Sequence, residues 1–159
     1  MVYRTQYPSP LGLLTLTAEE NCLTGLWMPT QKIPYPECIQ KDDLPVFREV
    51  CRWLDAYFLG NPWDISALPL RPAGTEFQQL VWDILKVIPY GETTTYGAIA
   101  KILSPTMSAQ AVGGAVGKNP IAIIIIPCHR VVGTDGALTG YAGGIENKKW
   151  LLRHEEETK

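Results

Sequence analysis

Apolar and polar positions in the first half of the chain follow two different periods. Alternation over residues 14–17 predicts a strand, and residues 23–28 extend it into a β-hairpin or meander. Between residues 46 and 58 apolar side chains recur every three or four positions, which predicts a helix with one buried face. Residues 29–43 are expected to form a loop and residues 61–74 a linker that contains proline.

The second half is predicted to be mainly helical. Thr75 is a suitable N-cap for an amphipathic helix that Pro89 ends. Two short helices, at about 96–103 and 108–116, are joined by a tight turn and predict a helix-turn-helix. The β-branched run Ile121–Ile126 is expected to form a buried strand.

Length and composition are typical of a globular protein. The 159 residues suffice for one domain or two small ones, and 46% apolar against 19% charged residues support a sizeable core. We therefore predict an α+β protein, with a small N-terminal β-sheet and helix over residues 1–70 and a winged-helix-like helical domain over residues 71–159. The apolar run before Pro127 is too short to cross a membrane, and no secretory signal precedes the first strand, so a soluble cytoplasmic protein is expected.

Charge is distributed unevenly between the two halves. Residues 1–76 carry 6 Lys and Arg against 9 Asp and Glu, a net charge of −3. Residues 84–153 carry 7 Lys and Arg against 3 Asp and Glu, a net charge of +4. A polyanionic partner is therefore expected to bind the second half.

The spacing of the cysteines excludes the usual zinc sites. Cys22, Cys38, Cys51 and Cys128 form no Cys-x-x-Cys pair, and the two histidines are not spaced from them as metal ligands. We expect no metal and no disulfide. Cys128 precedes a histidine at the end of the apolar run, so it is either a core cysteine beside a surface histidine or a nucleophile whose thiolate the imidazole favours.

The predicted helix at 108–116 has almost no bulky side chains. It contains Gly113 and Gly114, and each glycine inside a helix costs about 1 kcal/mol relative to alanine. Such a surface indicates either close packing against a neighbouring helix or close approach of the backbone to a partner such as the minor groove of DNA.

Several ordered motifs show a resemblance to one family. Pro127-Cys128-His129-Arg130-Val131 resembles the active-site motif of the O6-alkylguanine-DNA alkyltransferases, also called methylated-DNA:protein-cysteine methyltransferases. The N-terminal half resembles this family only in its order of strands and helix. Further matching blocks are Ile88–Glu92, Thr95–Tyr96, Ala111–Ala115, Asn119–Pro120, Thr139–Gly144 and Trp150–Glu155.

The resemblance implies a catalytic role for five residues. Cys128 would accept the alkyl group from O6 of guanine, and His129 would act as its base through a water molecule. Glu155 would orient the histidine, and Tyr96 would donate a proton to a ring nitrogen of the leaving base. Asn119 would tie the recognition helix to the active-site strand.

The same resemblance implies that double-stranded DNA containing O6-alkylguanine is the partner. The damaged base would be flipped out, the small-residue helix would lie in the minor groove, and a monomer would act without a cofactor. Tyr141 and Ala142 would line the pocket, and carbonyls near Cys128 and Val131 would accept the exocyclic amine of the base. The predicted DNA and substrate contacts are Gln110, Ala111, Gly113, Gly114, Arg130, Val131, Thr134, Tyr141, Ala142 and Gly143.

Two features depart from the family pattern. Gln110 stands where the family has an arginine that fills the space left by the flipped nucleotide. The isoleucine run before Pro127 is one residue longer than in the family, and a β-bulge is expected to absorb the extra residue.

Two other functions compete with a repair alkyltransferase. Alkyltransferase-like proteins bind damaged bases without repairing them, but they lack the cysteine that Cys128 provides. A hydrolase or acyltransferase with a Cys-His-Glu triad would need an oxyanion hole and would have no use for a small-residue helix-turn-helix.

Overall fold

The computed structural model describes residues 1–121, 124–138 and 144–159. The chain divides into two compact units, Met1–Ala73 and Gly74–Lys159. Strands dominate the first unit and helices the second, so the protein is of the α+β class, as predicted. No helix within the described ranges is long and apolar enough to span a membrane.

The first unit is built on a four-stranded sheet. Its strands are β1 (Tyr3–Ser9), β2 (Gly12–Glu19), β3 (Cys22–Trp27) and β4 (Ile39–Gln40), in the order β3-β2-β1-β4. The first three form the predicted antiparallel meander. Strand β4 pairs in parallel with β1 inside the segment that was predicted to be only loop.

Helix α1 (Pro45–Phe58) covers the predicted positions. Its apolar stripe forms one buried face, which consists of Val46, Phe47, Val50, Trp53, Leu54 and Tyr57. Residues 61–74 were predicted to be a linker, but part of this segment is hydrogen-bonded to β3. The Leu23 amide donates to the Pro69 carbonyl at 2.7 Å, and the Arg71 amide donates to the Leu23 carbonyl at 2.8 Å. The edge of β3 is therefore occupied by backbone partners from this segment.

The second unit begins with helix α2 (Glu76–Lys86). Thr75 and Gln78 form a capping box at its start, each side chain accepting from the other residue's backbone amide. The helix-turn-helix follows as α3 (Tyr96–Leu103) and α4 (Ala109–Gly117), within one residue of the predicted bounds. Trp82 of α2 is fully buried and donates its indole N–H to the Ala115 carbonyl of α4 at 2.9 Å.

A small sheet and a final helix complete the second unit. Strand β5 (Thr94–Thr95) pairs in parallel with β6 (Val131–Val132). Helix α5 (Ile145–Thr158) ends the unit and was not predicted as an element. Because β5 runs directly into α3 and β6 follows Cys128, this pairing joins the helix-turn-helix to the cysteine segment.

The prediction of a buried strand over Ile121–Ile126 is wrong for the residues described. The Ile126 amide donates to the Ile121 carbonyl at 3.2 Å, a bond that the two ends of one extended strand could not form. Asn119 accepts from the Ile121 amide at 3.0 Å and donates to the Ile126 carbonyl at 3.1 Å. These bonds satisfy backbone groups that a strand would pair with a neighbour, so the predicted β-bulge has no strand to occupy. Ile124 has a φ of 93°, a left-handed conformation that is rare for a β-branched residue.

Candidate active site

Cys128 lies in a buried 3₁₀ turn directly before β6. The turn covers Cys128–Arg130, and only 2% of Cys128 is exposed. Its amide donates to the Ile126 carbonyl at 2.8 Å, the same carbonyl that Asn119 binds. Cys128 and His129 therefore both belong to a turn and not to a strand.

Glu155 of α5 is the centre of a buried hydrogen-bond network. One carboxylate oxygen, Oε1, accepts from Nε of Arg130 at 2.8 Å and from the Gly91 amide at 3.1 Å. The other, Oε2, accepts from Nε2 of His129 at 2.5 Å and from Nη2 of Arg130 at 3.1 Å. Glu155 is 1% exposed and His129 is completely buried. The carboxylate is thus held by four hydrogen bonds from three residues.

The network fixes the ionisation state of both acid and base. Burial favours the neutral form of Glu155, but the hydrogen bonds from His129 and Arg130 and the positive charge of Arg130 outweigh burial and hold the pKa of the carboxyl well below its ordinary value. Burial lowers the pKa of His129, the positive charges of Arg130 and Lys148 lower it further, and Glu155 opposes them. At neutral pH the carboxyl is therefore ionised and the imidazole is neutral.

This ionisation state determines which imidazole nitrogen is basic. A carboxylate only accepts hydrogen bonds, so Nε2 of His129 carries the proton that Glu155 receives. Nδ1 then carries the lone pair, and it is the nitrogen that can take a proton. The arrangement is chemically suited to a general base next to a cysteine in sequence.

Arg130, which was predicted as a DNA or substrate contact, has a guanidinium that is bonded inside the second unit. Its guanidinium makes the two hydrogen bonds to Glu155, donates through Nη1 to the Ile88 carbonyl at 2.7 Å and lies 5.5 Å from the centre of the Tyr90 ring. Arg130 is 8% exposed. Its polar groups are engaged inside the unit, where they hold the carboxylate in place.

Lys148 is a buried residue of the site that the sequence did not reveal. It lies on α5 and is fully buried, and its ammonium donates to the Val131 carbonyl at 2.7 Å. Lys148, Leu151 and Glu155 are spaced three and four residues apart, so they share one face of the helix. That spacing was the available signal, but a lysine on such a face is more often solvated than buried.

Tyr96 and the small residues of α4 lie on the helix-turn-helix. Tyr96 is half-buried, and a Cβ placed on Gly113 would lie 3.8 Å from its ring, in ordinary contact. Gln110, Ala111 and Gly114 are exposed. A Cβ on Gly114 would have nothing within 4 Å among the residues described. Packing against a neighbouring helix therefore does not explain why position 114 has no side chain.

The remaining predicted site residues differ in exposure, and three of them lie outside the described part of the chain. Val131 is buried, and Thr134 lies exposed in the turn after β6. Tyr141, Ala142 and Gly143 lie outside the residues that the structure describes. In the described part of the chain, no group of His, Cys, Asp and Glu side chains is arranged to hold a metal ion.

Family models match both halves of the chain. Residues 2–72 match the ribonuclease-like domain of 6-O-methylguanine DNA methyltransferase, and residues 76–157 match the DNA binding domain of the same enzyme. The chain belongs to the 6-O-methylguanine DNA methyltransferase family. The residues around Cys128 and Glu155 all fall in the half that matches the family's DNA binding domain.

Individual members of the family are similar over nearly the whole chain. The methylated-DNA–protein-cysteine methyltransferase of Haemophilus influenzae is 44% identical over 156 residues, which cover 98% of this chain and 87% of the relative. The crystal structure of Mycobacterium tuberculosis O6-methylguanine methyltransferase matches with a TM-score of 0.90 and 42% identity, covering 100% of this chain and 95% of that one. A structure of Mycobacterium tuberculosis OGT in complex with DNA matches with a TM-score of 0.88 and 43% identity, covering 98% of this chain and 94% of that one.

The lowered pKa of His129 predicts a specific loss of stability in mild acid. On unfolding, His129 regains an ordinary pKa near 6.5 and takes up a proton that the folded state resists. The free energy of unfolding should therefore decrease as the pH falls from about 7 to about 5, by at most about 1.4 kcal/mol per pH unit. Urea titrations of the wild type and His129→Gln measure this slope, and the variant should have a flatter one.

His154 provides a matched control for this experiment. It is the other histidine of the chain, and it stacks on Trp150 with ring centres 5.1 Å apart. His154→Gln should retain the wild-type slope. An equal slope in the wild type and His129→Gln would contradict a buried neutral imidazole.

Proposed function

We propose that this protein repairs DNA by transferring the alkyl group of O6-alkylguanine to Cys128 in a single turnover. The observation that carries the proposal is the His129–Glu155 pair, buried beside Cys128 in the domain that matches the family's DNA binding domain. It supplies a neutral base next to a cysteine, which direct alkyl transfer requires. The names of the relatives and the similarity to a DNA-bound member support the same substrate.

The proposed reaction needs no cofactor. The Cys128 thiol gives its proton through a bridging water to Nδ1 of His129, and Glu155 stabilises the imidazolium that forms. The thiolate electron pair forms the new S–C bond while the C–O6 bond breaks, and the electrons of that bond stay on guanine. Tyr96 donates a proton to a ring nitrogen of the departing base. The thioether is stable to hydrolysis, so each molecule acts once.

The proposal includes a flipped base, because an alkyl group within the duplex cannot reach a cysteine that is 2% exposed. We assign the pocket wall to Tyr141, Ala142 and Gly143, and the acceptors of the exocyclic amine to the backbone near Cys128 and Val131. Thr134, exposed beyond β6, is assigned to the substrate-side surface. Asn119 supports this arrangement by linking the end of α4 to the carbonyl that also binds the Cys128 amide.

The exposed surface of α4 is proposed to enter the minor groove. Gly114 and Gly117 are open on that surface, and Ala111 adds only a methyl group, so DNA can approach the helix backbone closely. Gln110 is exposed near the N-terminus of α4, and we propose that its amide fills the gap left by the flipped nucleotide. A monomer in the cytoplasm is the proposed working form.

The identity of the acceptor is tested by intact mass after incubation with duplex DNA containing O6-methylguanine. The wild type should gain one methyl group in place of a hydrogen, and peptide mapping should locate it on Cys128. Cys128→Ala should gain nothing yet still bind the DNA. Cys22→Ala, Cys38→Ala and Cys51→Ala serve as controls and should react like the wild type. A methyl group on any of these three cysteines would refute the assignment, and binding without any transfer would favour a damage sensor.

The open position at Gly114 predicts that a small side chain there raises stability and that a large one weakens DNA binding. Gly114→Ala should stabilise the protein by up to about 1 kcal/mol, because alanine favours the helix and none of the described residues lies within 4 Å of its Cβ. Gly114→Leu should also remain folded but should weaken binding to duplex DNA by at least about tenfold, or about 1.4 kcal/mol. Thermal unfolding and fluorescence anisotropy measure the two effects. Unchanged DNA affinity in Gly114→Leu would place α4 away from the DNA.

A further inference from the structure

The site contains a buried charge that the proposed reaction does not use. Lys148 is 0% exposed although it is a lysine, and a buried ammonium is costly unless something nearby compensates it. Its Nζ donates to the carbonyl of Val131 at 2.7 Å. Val131 directly follows the turn that begins at Cys128. The side chain therefore reaches from α5 to the backbone of the cysteine segment.

We propose that Lys148 is a positioning residue that favours the thiolate of Cys128 through its buried positive charge and holds the Val131 carbonyl at the wall of the pocket. This inference rests on the proposed function, since it assigns a role within the same reaction. It accounts for a lysine on the inner face of α5, where a leucine or methionine of similar size would pack at lower cost.

The charged groups around Lys148 support this direction. Burial lowers the pKa of the Lys148 ammonium, and the negative charge of the Cys128 thiolate raises it in opposition. Such an interaction is reciprocal, so the ammonium favours the thiolate as much as the thiolate favours the ammonium. Lys148 also lowers the pKa of His129, which keeps the imidazole neutral and able to accept a proton. Arg130 acts on His129 in the same direction, while Glu155, on the helix of Lys148, opposes both.

The effect of Lys148 is expected to persist in the absence of DNA. Modification of Cys128 by iodoacetamide reports the thiolate fraction directly, and mass mapping separates Cys128 from the other three cysteines. In Lys148→Met, which keeps the length of the side chain but removes its charge, the rate at about pH 7 should fall about tenfold. The pH at which labelling reaches half its maximum should rise correspondingly. Lys148→Arg keeps the charge and should recover most of the rate.

Lys149 provides the matched control on the same helix. It is exposed and lies 3.5 Å from Glu146, so Lys149→Met removes the same charge without touching the site. Its labelling profile should match that of the wild type. If a folded Lys148→Met also labels like the wild type, or if Lys149→Met slows labelling equally, the proposal is overturned. Because no DNA is present, absence of alkyl transfer in a separate assay would count against the proposed function and not against this role.

A second measurement covers the case in which Lys148→Met does not fold. The side-chain carbon signals of Lys148 are titrated by NMR in the wild type and in Cys128→Ser, which cannot form a thiolate. The midpoint of Lys148 should be lower in Cys128→Ser, because the anion that favours the ammonium is gone. Equal midpoints in the two proteins would contradict the interaction.

Discussion

The buried carboxylate of Glu155 is the constraint on which the second unit depends. Its four hydrogen bonds join α5 to the turn after α2, through Gly91, and to the cysteine turn, through His129 and Arg130. Removing either Glu155 or Arg130 leaves the other as a buried charge without its partner, at a cost of about 3–5 kcal/mol. The same bonds orient His129 and leave its Nδ1 as the basic nitrogen. The network that holds the fold together therefore also prepares the base for the chemistry.

The surface proposed to bind DNA is mechanically connected to this network. The two-residue pairing of β5 with β6 places the start of α3, at Tyr96, beside the segment that contains Cys128. At the other end of the helix-turn-helix, Asn119 binds the carbonyl that also accepts from the Cys128 amide. Both ends of the α3–α4 pair are thus attached to the cysteine segment. This arrangement joins the helices proposed to bind DNA to the proposed alkyl acceptor within one small unit.

Local sequence signals predicted most helices, because caps and apolar periods act within a few residues. Thr75 caps α2 as predicted, and Thr95 and Ser108 cap α3 and α4 with the same kind of side-chain hydrogen bond. The failures arise from specific hydrogen bonds that a hydrophobic pattern does not encode. Asn119 binds the Ile121 amide and the Ile126 carbonyl, which an extended strand would leave for a neighbouring strand. The inward positions of Arg130 and Lys148 depend on partners contributed by other segments, which a single sequence does not reveal, so the lysine was overlooked.

We attribute the ability of Cys128 to accept an alkyl group to the bond between Glu155 and His129. The test is single-turnover transfer from duplex O6-methylguanine DNA by Glu155→Gln, with the rate taken for the folded fraction. Glu156→Gln is the control, since Glu156 is exposed and pairs with Lys159 at 2.9 Å. We expect Glu155→Gln to react about a hundredfold more slowly, the scale of general-base catalysis, and Glu156→Gln to react like the wild type. A folded Glu155→Gln protein that transfers the methyl group at the wild-type rate would contradict the account.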